Sequence, residues 1–433
     1  MTTLPAGLSA RAAALSALSE VLRRRRPLDA VLEDAIAQQK LEPRDAGFAR
    51  TIANETFRRF GQIDALIRAF VPKPPAPHRA GPAPEILMIG VCELLFLDVA
   101  PHATVDAANR LAAADNKAVH FKPLINAVLR RVAKEGRETL AQKDASRLNT
   151  PDWMWQRWAD TYGGDAARAI ANAHVAKPPT DFVFKSNNAR LLPNAITLPG
   201  NMERVTETGR VDEMPGYNEG GWWVQDFAAS LPARMLGDIR GKAVLDLCAA
   251  PGGKTMQLAA MGANVIAVER EPARLDRVRA NLARTKLSAE LVESDLRDYI
   301  PKELASFILL DAPCSATGTI RRHPELPWIK SASDIVLSAQ AGGEYLDAAT
   351  DMLAIGGTLV FAVCSLEPEE GPEQIAAFLE RNDAFQRKPI VAEEIFGLSE
   401  LLTTDGDLRT LPCHFADKGG MDGFYAARLV RLR

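Results

Sequence analysis

Two cysteines occupy positions suited to a sulfur nucleophile. Cys314 lies in Asp311-Ala-Pro313-Cys314-Ser315-Ala-Thr-Gly318 and Cys364 in Val363-Cys364-Ser365, and each segment follows a short apolar run. A free thiol has a pKa near ~8.5, so a site must activate it before it attacks an electrophile. Taken singly, a cysteine is more often a small buried hydrophobe. Two at the ends of apolar runs, one beside an aspartate, point instead to covalent catalysis. Cys92 and Cys413 read as structural, and Cys248 by itself as packing. Five cysteines in 433 residues make no disulfide scaffold, and the odd count suits a reducing, cytoplasmic compartment.

A second set of residues could hold a cofactor. The run Asp246-Leu-Cys248-Ala249-Ala250-Pro251-Gly252-Gly253-Lys254-Thr255 joins an apolar stretch to a helix. Its two glycines allow a ligand close to the main chain, and the helix start offers free amides. A phosphate loop would need glycine where Cys248 stands, and the dinucleotide pattern G-x-G-x-x-G is absent. An acid closes each successive strand instead: Glu269, 23 residues after Asp246, then Asp295 and Asp311. Four carboxylates along one edge would repel a triphosphate and suit an adenosine bearing positive charge. S-adenosyl-L-methionine is such a ligand, with Glu269 on the ribose hydroxyls and Asp295 on the adenine amino group. A methyl donor in turn gives the thiols a task. Carbon 5 of a pyrimidine is a poor nucleophile until a thiolate adds at carbon 6, and a base must later remove the carbon-5 proton so that the thiol can leave. Residue chemistry alone does not say which cysteine attacks.

The elements that must position these groups follow from periodicity. Ala243–Leu247, Val265–Val268, a start at Leu291-Val292, Phe307–Leu310 and Thr358–Val363 read as strands, with helices over Glu271–Arg284 and before Ala354. Strand–helix alternation predicts an α/β fold, a Rossmann-like, mostly parallel sheet with helices on both faces. Ligands bind such sheets at the C-terminal strand ends, where all the residues above fall.

The first 140 residues read as all-α, with apolar stripes Leu15/Leu18/Leu22, Ile63/Leu66/Ile67/Phe70 and Ile125/Val128/Leu129/Val132. Six prolines within residues 72–84 predict a loop between two halves of this module. A looser α+β stretch follows, with a helix opening at Pro151-Asp152 and carrying Trp153, Trp155 and Trp158, then a strand-like Phe182-Val183-Phe184. The tryptophans read as packing rather than as base-stacking groups. The expected division is 1–140, 141–235 and 236–433. The net charge of −3 splits into +5 for residues 1–140 and −8 for the rest, a mildly basic front that suits a polyanion. The run Arg23-Arg24-Arg25-Arg26 fits either a helix C-terminus or an RNA contact. The longest apolar run, Ile86 to Ala100, is interrupted by Glu93 and Asp98, so no membrane span is expected, and the N-terminus does not read as a secretory signal.

Asp246–Thr255, Asp311–Gly318 and the Cys364 segment together resemble the Sun/Fmu (RsmB-like) family of S-adenosylmethionine-dependent RNA 5-methylcytosine methyltransferases. The likeness extends to Trp223-Val-Gln225-Asp226, to Ile320-Arg321-Arg322-His323-Pro324-Glu325 and to Gly420-Met-Asp422-Gly423-Phe424-Tyr425. The helical front, notably Asn126-Ala-Val-Leu-Arg130-Arg131, resembles the family's NusB-like RNA-binding module. The resemblance implies that Cys364 attacks carbon 6, that Cys314 assists release, and that Asp311 bonds the cytosine's polar edge. It further implies that Cys248–Lys254, Glu269, Asp295 and Asp311 hold S-adenosyl-L-methionine, with no metal, and that Arg321, Arg322 and His323 line an RNA entrance. The implied partner is RNA of the small ribosomal subunit, met by a monomer. A transfer RNA substrate, or a non-catalytic RNA-binding factor built on the NusB-like part, are the alternatives. Val363 stands where Thr is usual in the family, and Gly371 where Asn often follows the acidic pair Glu369-Glu370.

Overall fold

A computed structural model describes residues 7–185 and 194–433. Residues 1–6 of the expected helical part and 186–193 of the expected connecting part lie outside the described residues. The chain forms two compact units, one of residues 1–175 with Arg322–Lys330, the other of Ala176–Arg321 with Ser331–Arg433.

The first unit is all-helical. Its long helices are Leu8–Arg24, Leu28–Gln39, Pro43–Arg58, Phe60–Phe70, Ala83–Phe96, Pro101–Ala113 and Lys122–Ala141. The apolar stripes of the first helix and of the last four meet in one core that includes Leu8, Ile63, Leu66, Ile86, Val91, Ile125, Leu129 and Val132. The proline-rich stretch departs from the expected loop, because Pro77–Ala80 forms a helical turn and the next helix starts at Ala83. Proline is tolerated in a first helical turn, where its missing N–H would have no partner anyway. Two arginines of the run, Arg23 and Arg24, fall in the last turn of the first helix, as the dipole favours: Arg23 donates to Glu85 (2.8 Å) and to the Gly81 carbonyl (2.9 Å), and Arg24 pairs with Glu20.

The break expected at 140 falls within a helical run that continues through Asp152–Tyr162 to Gly164–Val175. These helices stay with the front because their polar groups are satisfied there. Asn149 and Gln62 exchange two hydrogen bonds (2.9 and 3.1 Å), and Arg58 donates to the His174 carbonyl (3.3 Å). Trp158 is buried as expected, and the ring of half-buried Trp155 lies under the guanidinium groups of Arg147 and Arg168.

The second unit holds two sheets. The smaller comprises β1 (Thr180–Phe184), β2 (Ile196–Leu198), β3 (Met202–Val205) and β4 (Trp222–Val224), ordered β2-β3-β1-β4 and antiparallel throughout. Buried Asp181 of β1 and Arg204 of β3 form a two-pronged ion pair (2.6 and 2.8 Å). Arg204 also donates to the carbonyls of Lys418 and Gly420, and Asp181 accepts the Phe227 amide (2.9 Å), which ties the small sheet to the large one.

The larger sheet contains β5 (Ala243–Leu247), β6 (Asn264–Glu269), β7 (Glu290–Glu293), β8 (Ala305–Asp311), β9 (Leu353–Val363), β10 (Phe385–Arg387), β11 (Leu408–Thr410) and β12 (Phe424–Arg431). Its order is β10-β12-β9-β8-β5-β6-β7, with β11 paired to β12. β5 to β9 run parallel, and β12 is antiparallel to β9. The chain winds from β5 outward through β6 and β7, then crosses back so that β8 lies on the other side of β5. The strand order reverses between β5 and β8, the place in such a sheet where ligands bind, at the C-terminal strand ends.

Candidate active site

Each acid expected at a strand end is found at or just past one. At the end of β5, Asp246 is fully buried, and Oδ2 accepts the Thr255 hydroxyl at 2.5 Å. Its other oxygen, Oδ1, has no hydrogen-bond partner among the described residues. Burial pushes its carboxyl up to about 7 against the opposing pull of the Thr255 hydrogen bond. Cys248 follows with φ +61°, and burial raises its thiol above the ordinary range. Gly252, at φ +101°, caps the helix Gly253–Ala260 in a conformation that L side chains rarely adopt.

Glu269 ends β6 and is nearly sealed from solvent. It accepts the amides of Ala250 (3.3 Å) and Glu271 (3.1 Å), while Arg274 stands 3.6 Å away and donates to the Ala250 carbonyl. Asp295, beyond β7, accepts from the Arg297 side chain and amide, and those bonds hold its carboxyl down at about 2. Asp311 closes β8 and receives a 2.7 Å hydrogen bond from Lys254 Nζ. Burial works against the Lys254 ammonium, but the charge and hydrogen bond of Asp311 outweigh it and the pKa rises.

The two thiols meet. The sulfurs of Cys314 and Cys364 lie 3.5 Å apart although 50 residues separate them, because β8 and β9 are parallel neighbours. The Ala312 amide donates to the Ala362 carbonyl (2.8 Å) and the Gly318 amide to the Cys364 carbonyl (3.0 Å), which keeps both loops at one level. The hydrogen bond to Cys364, then burial, hold the Cys314 proton well above the usual thiol range.

The three residues expected at an RNA entrance differ in burial and in the unit to which they belong. Arg321 is buried at 1% exposure, and Nη2 donates to the Gly419 carbonyl (3.0 Å), so its side chain braces the C-terminal turn rather than lining an entrance. Arg322 and His323 belong to the helical unit, where His323 faces Asp29 at 3.6 Å. The same excursion, residues 322–330, is anchored by buried Glu325, which accepts the Leu28 amide (3.2 Å), and by Trp328, which donates to the Phe57 carbonyl (3.1 Å).

Sequence reading missed Thr255, Tyr345 and Glu370. Thr255 holds Asp246, the Tyr345 hydroxyl donates to Asp295 at 3.4 Å, and Glu370 binds the loops of both thiols. The i+9 spacing of Thr255 from Asp246 across a glycine turn was the one available signal.

The residues present suit S-adenosylmethionine. A buried, unpartnered carboxylate oxygen on Asp246 awaits a donor, acids line the edge, and the helix-start amides of the Gly252 turn remain for a carboxylate. Fold and site together define a Rossmann-like methyltransferase. A family model described as 16S rRNA methyltransferase RsmB/F matches residues 233–430, and one for the NusB family matches residues 8–134. A ribosomal RNA small subunit methyltransferase B of Pseudomonas putida is 35% identical over 455 residues, covering 98% of this chain and 99% of its own. One from Vibrio cholerae is 35% identical, over 86% of this chain and 90% of its own. The chain therefore belongs to the RsmB/F family of 16S rRNA methyltransferases. Among solved structures, NSun6 from Pyrococcus horikoshii with SFG, an S-adenosylmethionine analogue, shares the fold at TM-score 0.57 and 16% identity, over 65% of this chain and 98% of that one.

Proposed function

We propose that this protein transfers a methyl group from S-adenosylmethionine to carbon 5 of a cytosine in 16S ribosomal RNA, through a covalent bond between Cys364 and carbon 6. The observation that carries the reading is the pair of thiols 3.5 Å apart beside the Lys254–Asp311 ion pair. Membership of a 16S rRNA methyltransferase family supports the substrate class, and such a substrate implies a cytoplasmic protein.

S-adenosylmethionine supplies an electrophilic methyl group on a sulfonium centre. Asp246, Glu269 and Asp295, with the Cys248–Lys254 turn, hold it. Cys364, its proton given up to water, adds to carbon 6 as a thiolate, and the ring's electron pair moves toward nitrogen 3 and carbon 5. Asp311 bonds the polar edge of the cytosine and favours the ring protonated there, and the Lys254 ammonium paired with it stabilises the negative charge that develops. Once carbon 5 carries the methyl group, its proton must leave before the carbon–sulfur bond can break. Cys314 gives up its own proton to water once the charge on Cys364 has been consumed in the adduct, then takes the carbon-5 proton as the double bond re-forms and Cys364 leaves as a thiolate. Sequence-specific RNA reading favours unpaired bases, so the target is a loop cytosine turned out of its stack.

Bisulfite sequencing of ribosomal and transfer RNA, from cells with and without the protein, tests the reading. One 16S cytosine should lose protection when the protein is absent. Loss confined to transfer RNA would reassign the substrate, and methylation found on nitrogen or a ribose oxygen would remove the thiol scheme.

A further inference from the structure

Glu370 is a buried carboxylate beside the thiols to which the scheme above assigns no part. It is 2% exposed and sits on the turn Pro368–Glu370, six residues after Cys364. Its Oε1 accepts the Ser315 amide at 2.7 Å. Its Oε2 accepts the Ser315 hydroxyl at 2.6 Å and also the Ser365 hydroxyl. One side chain thus binds the residue that follows each cysteine.

The surrounding bonds make the two loops a single piece. The Thr317 hydroxyl accepts the Leu366 amide (3.0 Å), and the Ser365 hydroxyl accepts the Glu367 amide (3.0 Å). Arg409 Nη1 donates to the Ser365 carbonyl at 2.7 Å. Gly371 leaves room for that arginine, since a Cβ there would stand 3.1 Å from Arg409 Nη2 and 3.0 Å from the Tyr425 ring.

Satisfying two serines does not by itself call for an acid, because their hydroxyls lie 3.4 Å apart and can pair with each other. Burying a carboxylate is costly unless its charge is used. What the acid adds is a strong acceptor for three donors and a negative charge facing Cys314. We propose that Glu370 is a positioning residue, binding Ser315 and Ser365 together so that the sulfurs of Cys314 and Cys364 are held in contact. Its charge is a further cause, after Cys364 and burial, of the proton's retention on Cys314. The groups facing this cluster are Glu367 toward Glu370, and Lys254, itself paired with Asp311, toward Cys364.

The inference rests on reading the two thiols as the reacting pair, but its test needs no RNA. In the full-length protein, iodoacetamide labelling of Cys314 is followed against pH by peptide mass spectrometry. Bridging of the two thiols by dibromobimane is measured alongside. Glu370→Gln keeps the shape and removes the charge. The midpoint of Cys314 labelling should fall by about one pH unit, with calorimetric affinity for S-adenosylmethionine unchanged. Glu370→Ala should lose thiol bridging, again with cofactor affinity intact. A folded Glu370→Gln protein with wild-type labelling and a folded Glu370→Ala protein with wild-type bridging would overturn the proposal. Should either variant aggregate, the Ser315→Ala and Ser365→Ala proteins are read instead, where wild-type bridging is equally fatal. Shifted labelling in a protein that methylates no RNA would sink the methyl-transfer reading and leave this one standing.

Discussion

Cys314 and Cys364 are chemically alike, and their sulfurs are in contact. The proposed scheme gives attack to Cys364 and release to Cys314. Cys364→Ala should therefore abolish both methylation and covalent trapping of RNA. Cys314→Ala should leave attack intact and block release, so that a protein–RNA adduct accumulates on a denaturing gel. Asp246 makes a different prediction. Its carboxyl is raised to about 7 in the folded protein, against about 4 for an unfolded chain. Between those values the folded state binds the extra proton, so stability falls as pH rises from about 4 to about 7. Urea midpoints of the cofactor-free protein should decline across that window, and Asp246→Asn should flatten the decline while losing cofactor affinity.

At the scale of elements, the site depends on close backbone approach. A Cβ on Gly318 would lie 1.9 Å from the Gly423 carbonyl, where the Gly423 amide also donates to Gly318 (2.8 Å). Gly318→Ala should cost about 1–3 kcal/mol and shift the Cys314 loop, read as a lower urea midpoint together with reduced thiol bridging. The Asp181–Arg204 pair predicts a larger loss. Removing Arg204 strands a buried carboxylate, and Arg204→Met should destabilise by about 3–5 kcal/mol in the same measurement, whereas an apolar replacement of both partners should cost less. The parallel strands were legible because each holds a short apolar run, four of them ending at or near an acid and the fifth running into Cys364. β12 was not: its run Phe424–Val430 is apolar enough, but nothing local says that it inserts antiparallel between β9 and β10.

For the whole molecule, the excursion of residues 322–330 bears on any dissection of the chain. Glu325 and Trp328 are partnered by Leu28 and Phe57 of the helical unit, so a fragment beginning at 176 leaves a buried carboxylate and an indole without partners. That fragment should keep cofactor affinity, bind a hydrophobic dye, and lose RNA affinity. Its salt dependence should weaken by about 0.7 to 0.9 in slope for each RNA phosphate that the fragment no longer neutralises. Equal loss of cofactor and RNA affinity would show the helical unit to be purely structural.

The amino-acid sequence alone determined the classes of element, the acid at each strand end and the two candidate sulfurs, since periodicity and side-chain chemistry are local properties. Only tertiary structure decided that sulfurs 50 residues apart touch, that Arg321 is buried while its neighbour Arg322 joins another unit, and that Glu370 reaches both loops. Contact, burial and shared hydrogen bonds depend on which strands become neighbours, and strand order is settled by packing of the whole chain rather than by any one segment.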